Sequence, residues 1–390
     1  MIIFKIRDFM SSIIPLLYIS KLLGLAPLFL HKNANENSPW KYKAKIIINT
    51  TYTFTASSLI IWFFADQISY YWNEVYPLAL LNFTISDIYS KILLYSTPFV
   101  SIISSLTQSS KLSKILQEIR RVDEKLVTKT NVYIIIFFVL LIEIILALSC
   151  IIGLFVLIFV TWGMENLVFS FYECLMHIIA LFVDLQFINI LFYVRYLYKQ
   201  LNNELHSFVG CHGDAEINKI VFFKKLTVDK VCELQNIHKD LQEVAETMCN
   251  YLSQQLALEV NSLFFQLVST SYNWVQAIKL YVTYGKQDYI MRIFSISCWV
   301  VFYLANLFFL CVSGQLCRNE AYKTFTLVHK LMLNEILSPQ VLNTLNKFVF
   351  YASAMKLRVT NGLFDIDMTL FLKTFGAAFV YVTFLLQMQY

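Results

Sequence analysis

Charge is scarce in this sequence. Asp, Glu, Lys and Arg make up 15 % of the 390 residues, against 58 % hydrophobic and 16 % aromatic. A soluble domain carries roughly 25 % charged residues, so the composition excludes one and points to a polytopic membrane protein. Glycine (nine) and proline (six) are also rare, which favours long uninterrupted helices. The roughly ten-residue alternating segments of an outer-membrane barrel are absent. There is no paired CxxC, no HExxH, no phosphate-binding glycine loop and no nucleophile–base set. No enzymatic activity, bound metal or cofactor is therefore expected. The eight cysteines (150, 174, 211, 232, 249, 298, 311 and 317) avoid the outer loops of the topology below, so no disulfide framework is expected.

Long apolar runs are abundant. With about 20 apolar residues per membrane crossing, seven spans are predicted, near 46–65, 78–106, 132–160, 167–194, 258–282, 294–316 and 369–389. The apolar N-terminus is cut by Pro15, Lys21 and Pro27 and is followed by no small-residue cleavage site. It reads as a retained interfacial or re-entrant segment, with a weak span as the alternative.

Lys and Arg set the orientation. The segments before the first span and after the second, fourth and sixth hold 26 of them, whereas the alternate loops hold only Lys286 and Arg292. The expected protein is all-α, with seven transmembrane helices, a cytosolic N-terminus and an extracellular C-terminus. A G-protein-coupled receptor has the opposite orientation. The net charge of +5 follows from these basic loops, which suit anionic lipid headgroups and give no sign of nucleic acid. Asn82-Phe83-Thr84 is a glycosylation sequon near an outer boundary.

The implied organisation is 1–45 as an N-terminal cytosolic segment, 46–194 as four spans, 195–257 as cytosolic helices, 258–316 as two spans, 317–368 as further cytosolic helices and 369–390 as the last span. Gly210–Asn218 breaks helical periodicity. Beyond it Val231, Leu234, Ile237, Leu241, Val244, Met248 and Tyr251 recur at three- and four-residue steps, an amphipathic stripe. Two readings remain open for this stripe: packing within one chain, or anchoring between subunits. Ser338-Pro339 is expected to start a later helix and Asn361-Gly362 to stop it.

The last span ends Val380-Tyr381-"VTFLL"-Gln387. This resembles the ending of insect gustatory receptors, a Thr-Tyr, five apolar residues and then Gln; Val380 stands where that family usually has Thr. The stretch "NGLFDIDMTLF" from Asn361 and the N-terminal "PLLYISKLLGLAPLF" resemble the family's approach to this helix and its opening. The resemblance implies a homotetrameric, ligand-gated, non-selective cation channel in the plasma membrane. It further implies that the last helix of each subunit surrounds one pore, that cytosolic helices anchor the subunits, and that a tastant pocket faces outward. It favours the anchoring reading of the 231–251 stripe. An odorant receptor of the same superfamily and a transporter are the alternatives; the chain shows no internal repeat of the kind many transporters carry.

Gly376, Ala377, Val380, Phe384 and Gln387 share one helical stripe. In a four-fold assembly Gln387 amide oxygens could replace part of a cation's hydration shell, with Phe384 and Val380 as a dewetting gate. Tyr381, about 100° round the helix from Val380, suits a bond to a neighbouring helix, and Gln389 suits the headgroup region. Asp365 and Asp367 either ring the inner pore mouth or cap the helix.

Ionisable residues inside spans are candidates for function. Asp87, Glu173, His177, Tyr272, Asn273, Trp274 and Trp299 fall in outer halves and form the candidate ligand pocket. Asp87 and Lys91, and likewise Glu173 and His177, are four residues apart and could neutralise one another. Acidic and amide groups among aromatic plates suit a sugar-like ligand, while a hydrophobic bitter compound would use the aromatics alone. Glu143 and Asp184 lie deeper and read as members of interhelical networks.

Overall fold

The computed structural model describes residues 9–26, 39–70, 81–126, 130–162, 167–209, 226–285, 288–333, 337–354 and 356–388. These residues form helices α1 (Phe9–Ser12), α2 (Ile14–Leu22), α3 (Pro39–Tyr70), α4 (Leu81–Thr107), α5 (Ser109–Lys125), α6 (Thr130–Trp162), α7 (Leu167–Val209), α8 (Val228–Tyr284), α9 (Asp288–Met332), α10 (Pro339–Ala354) and α11 (Met368–Gln387). Among the described residues the only extended pairing is a single bridge between Thr360 and Asp365. The fold is all-α.

Among the described residues, five helical stretches are long and apolar enough to cross a membrane: Ile47–Asp66, Tyr133–Leu157, Phe171–Val209, Tyr289–Met332 and Met368–Gln387. The other two expected spans fall on α4 and α8. Their hydropathy is lowered by polar residues turned into the bundle, namely Ser90, Thr97, Ser101 and Ser105 on α4 and Glu259, Ser262 and Gln266 on α8, all of them buried. Polar groups kept away from lipid are tolerated in a bundle interior.

The helices are layered by burial. In the apolar window of α7, 78 % of residues are buried, against 6 % in that of α3, so α7 forms the centre of the bundle and α3 its lipid-facing edge. α7, α8 and α9 continue unbroken past their expected inner ends. The 57 residues of α8 make it about 85 Å long. Thr227 caps its start, accepting a hydrogen bond from the Lys230 amide at 3.3 Å. All seven residues of the 231–251 stripe are between 0 % and 3 % exposed within the single chain. Intrachain packing accounts for the stripe, so any assembly role of this region falls to its other faces.

Helix α5 stands where a basic loop is expected after the second span. It buries Leu112, Ile115, Leu116, Ile119 and Val122 and reaches α8 through Lys114–Glu243 (3.2 Å) and Lys125–Asp240 (2.9 Å). The N-terminal helices are too short to cross a membrane. α1 packs on α5 and α6, and α2 on α6; Ser105 Oγ donates to the Gly24 carbonyl at 2.6 Å and Tyr52 Oη to that of Leu22.

Asn361-Gly362 does not stop α10, which ends at Ala354. The pair instead forms a tight turn before α11. Asn361 Oδ1 accepts from the Leu363 and Phe364 amides at 3.1 and 2.8 Å, and Gly362 has φ +87°, a conformation that costs glycine little. The turn is seated on α9 at Gly314, where a Cβ would overlap the Ile366 carbonyl oxygen.

Of the other expectations, Gly210–Asn218, Cys211 and Gln389 lie outside the described residues, as does the Asn82 side chain.

Candidate functional site

Helix α11 begins at a well-made cap. Asp367 Oδ1 accepts from the Thr369 and Leu370 amides at 2.9 and 3.1 Å, and Oδ2 pairs with Arg318 on α9 at 3.0 Å. Burial alone would raise the carboxyl's pKa, but the Leu370 amide, the Arg318 guanidinium and the Thr369 amide outweigh it and hold the value below normal. Of the two readings of Asp367, the geometry favours the cap. Asp365 is exposed.

The helix has two unlike sides. Thr374, Ala378 and Leu385 are its buried residues. Ala378 and Leu385 pack with Leu267, Val268 and Tyr272 of α8, and Tyr381, Val382, Val300 and Leu304 close the cluster. Tyr381 therefore turns towards the bundle, away from the stripe. The stripe itself, with Gly376, Ala377, Val380, Phe384 and Gln387, is exposed; Val380 and Phe384 are 68 % and 52 % accessible. Sequence periodicity had grouped these residues, and the fold leaves them on the unpacked side.

The outer-half candidates divide into two groups. Asp87, Glu173, His177 and Trp299 join a chain of polar and aromatic contacts through four helices. Ser269 Oγ on α8 donates to Asp87 Oδ1 on α4 at 2.9 Å. One turn along α4, Lys91 ion-pairs with Glu173 on α7. One turn along α7, the His177 ring lies 4.9 Å from the Trp299 ring of α9 and its Nε2 is 3.3 Å from Tyr303 Oη. Trp299 and Tyr303 stack at 5.5 Å. Lys91 thus has a carboxylate partner on another helix, Glu173, which the bundle brings into reach.

Sequence reasoning missed Ser269 and Tyr303. Tyr303 could have been found, since it follows Trp299 by one helical turn; nothing in the sequence marks Ser269.

The second group lies nearer α11. Tyr272 is buried against it, Trp274 faces a groove and Asn273 is exposed. The groove, about 360 Å³, runs between α8, α9 and α11, with walls that include Val300, Leu304, Phe375, Ala378 and Val382. Its polar edge is Trp274 Nε1 donating to Ser297 Oγ at 2.8 Å. The deeper acids do form interhelical bonds: Asn306 Nδ2 donates to Asp184 Oδ2 at 2.8 Å and Asn189 Nδ2 to Glu143 Oε2 at 3.1 Å. Among the described residues, no group of three or more His, Cys, Asp or Glu is placed to hold a metal ion.

Comparison with known proteins accords with this architecture. The putative gustatory receptor 28b of Drosophila melanogaster is 27 % identical over 162 residues, which span 40 % of this chain and 33 % of that protein. Two solved structures of the olfactory receptor OR5 of Machilis hrabei, with and without eugenol, match over 97 % of this chain and 98 % of theirs. Their TM-scores are 0.61 and 0.60 at 14 % identity, a likeness of fold. The profile described as "7tm Chemosensory receptor" matches residues 13–390, and the chain belongs to that chemosensory receptor family.

Proposed function

We propose that the chain is a gustatory-type receptor subunit, and that four copies form a ligand-gated, non-selective cation channel in the plasma membrane. In this reading four α11 helices surround the pore, Gln387 lines its outer part, and Val380 and Phe384 form the closed constriction. The observation that carries the reading is the two-sidedness of α11, an inner side packed on α8 and α9 and an exposed stripe ending in an amide. A side chain such as Gln387 near the end of an apolar helix needs a polar partner or water, and a hydrated axis supplies both.

The ligand is a small-molecule tastant bound among the outer-half aromatics, with Asp87, Glu173, His177 and Trp299 on one flank and Tyr272, Asn273 and Trp274 on the other. A sugar-like ligand would have to compete with Ser269 for Asp87 and with Lys91 for Glu173. An apolar aromatic ligand would meet Trp299, Tyr303 and Trp274 without displacing an ion pair. Movement at this site has a short route to the pore, because Tyr272 packs against the Ala378–Leu385 side of α11.

Expression in oocytes, with a panel of sugars and aromatic bitter compounds, tests the reading. A ligand-evoked cation current whose permeability ratio changes in Gln387→Ala is the expected outcome. Surface-expressed protein that takes up tracer but passes no current would favour a transporter instead.

A further inference from the structure

A second recess, far from the outer-half site, is built where α7 and α9 run side by side beyond the predicted inner membrane boundary. It holds about 350 Å³, within the range of small-molecule sites. Lys199, Asn203 and His206 of α7 line it together with Lys323, Thr326 and Lys330 of α9. These positions recur at three- and four-residue steps on both helices, so each helix turns one polar, largely cationic edge to the same space.

The recess holds a single carboxylate, Glu320, which is already engaged. Asn202 Nδ2 donates to Glu320 Oε1 at 3.0 Å, and Lys323 pairs with Oε2 at 2.9 Å. Burial would raise the pKa of this carboxyl, but Asn202 and Lys323 bring it below normal, so it stays ionised and cancels one lysine. Thr324 Oγ1 in turn donates to Asn202 Oδ1 at 2.7 Å, which fixes the floor. Lys199 and Lys330 have no acidic partner among the described residues. Elsewhere on the cytosolic side Lys114, Lys125, Lys230 and Arg318 each have one.

We propose that this recess is a binding site for a small, multiply phosphorylated anion, held by Lys199 and Lys330 with hydrogen bonds from Asn203, His206 and Thr326. Lysine ammonium groups, an amide, an imidazole and a hydroxyl are the donors that phosphate oxygens take. The phosphate could belong to a soluble polyphosphate or to the headgroup of an anionic lipid. Lys199 lies five residues and Lys330 fourteen residues past the predicted inner ends of their spans, roughly 8 and 21 Å along the helices. The site thus lies between the headgroup layer and the open cytosol. The inference uses the inward orientation of the basic loops and nothing about the pore. Because α7 and α9 also carry His177 and Trp299, occupancy would brace the two helices that hold much of the outer-half cluster.

The test uses the purified full-length receptor. Inositol trisphosphate is titrated in detergent, and the receptor is also reconstituted in phosphatidylcholine nanodiscs with and without phosphatidylinositol bisphosphate. The readout is the melting temperature. Either probe should raise it, and the Lys199→Gln/Lys330→Gln variant should weaken the apparent affinity about tenfold or more. Lys347→Gln, which removes one exposed cation outside the recess, should leave it unchanged. A response to the soluble probe assigns a soluble ligand, and a response to the lipid alone assigns a headgroup. No shift of the wild-type protein with either probe overturns the proposal. So does an equal loss in the Lys347 variant, which would indicate non-specific charge attraction.

Discussion

The inner half of this molecule and its last helix are organised in opposite ways. Beyond the expected inner ends of the spans, α5, α7, α8, α9 and α10 bury one another so completely that the 231–251 stripe has almost no accessible surface in a single chain. α11 buries only Thr374, Ala378 and Leu385 of its twenty residues. The difference separates what folds the chain from what the chain presents. The inner helices form an intrachain core, while α11 is fixed at its base by Asp367–Arg318 and on one side by Tyr272 and its neighbours, leaving the other side free.

The contrast predicts where substitutions should hurt. The largest loss belongs to Lys91→Met, which strands the Glu173 carboxylate without its cation. A destabilisation of about 3–5 kcal/mol is expected, largely restored when Glu173→Leu is added; thermal unfolding of the purified single and double variants measures both. Leu241→Ala should cost about 2–5 kcal/mol through its cavity, whereas Val380→Ala on the open side of α11 should stay within about 0.5 kcal/mol. Equal losses at the two positions would break the comparison.

A smaller effect belongs to the seam between the regions. Asp367→Ala removes the cap of α11 and its bond to Arg318, for about 1–2 kcal/mol. Because the folded carboxyl is held below its ordinary value, this stabilisation is complete above the unfolded pKa of about 3.9. It is lost as pH falls through the folded pKa. The gap in melting temperature between wild type and variant should therefore be constant near neutrality and close in acid.

The sequence made some of this legible and hid the rest for physical reasons. Apolar runs located α3, α6, α7, α9 and α11 because lipid-facing and centrally buried helices are both hydrophobic all round. The exposed stripe of α11 was readable because its periodicity is local. The split of the outer-half residues was not, since whether Lys91 reaches Glu173 depends on which helices become neighbours. α5 was hidden by its charged face, which made an amphipathic helix look like a basic loop. The cap at Asp367 was one of two readings until Arg318, 49 residues away in sequence, came within 3.0 Å.

The central claim, that the open side of α11 lines a conducting pore, is tested most directly by cysteine accessibility in the assembled channel. α11 has no native cysteine. Val380→Cys, Phe384→Cys and Gln387→Cys are each expressed, opened by ligand and exposed to a charged thiol reagent, with Ala378→Cys and Leu385→Cys as packed-side references. The account predicts that the reagent blocks current at the first three positions and spares the last two. Block at Ala378 and Leu385, with none at Val380, Phe384 and Gln387, would contradict it.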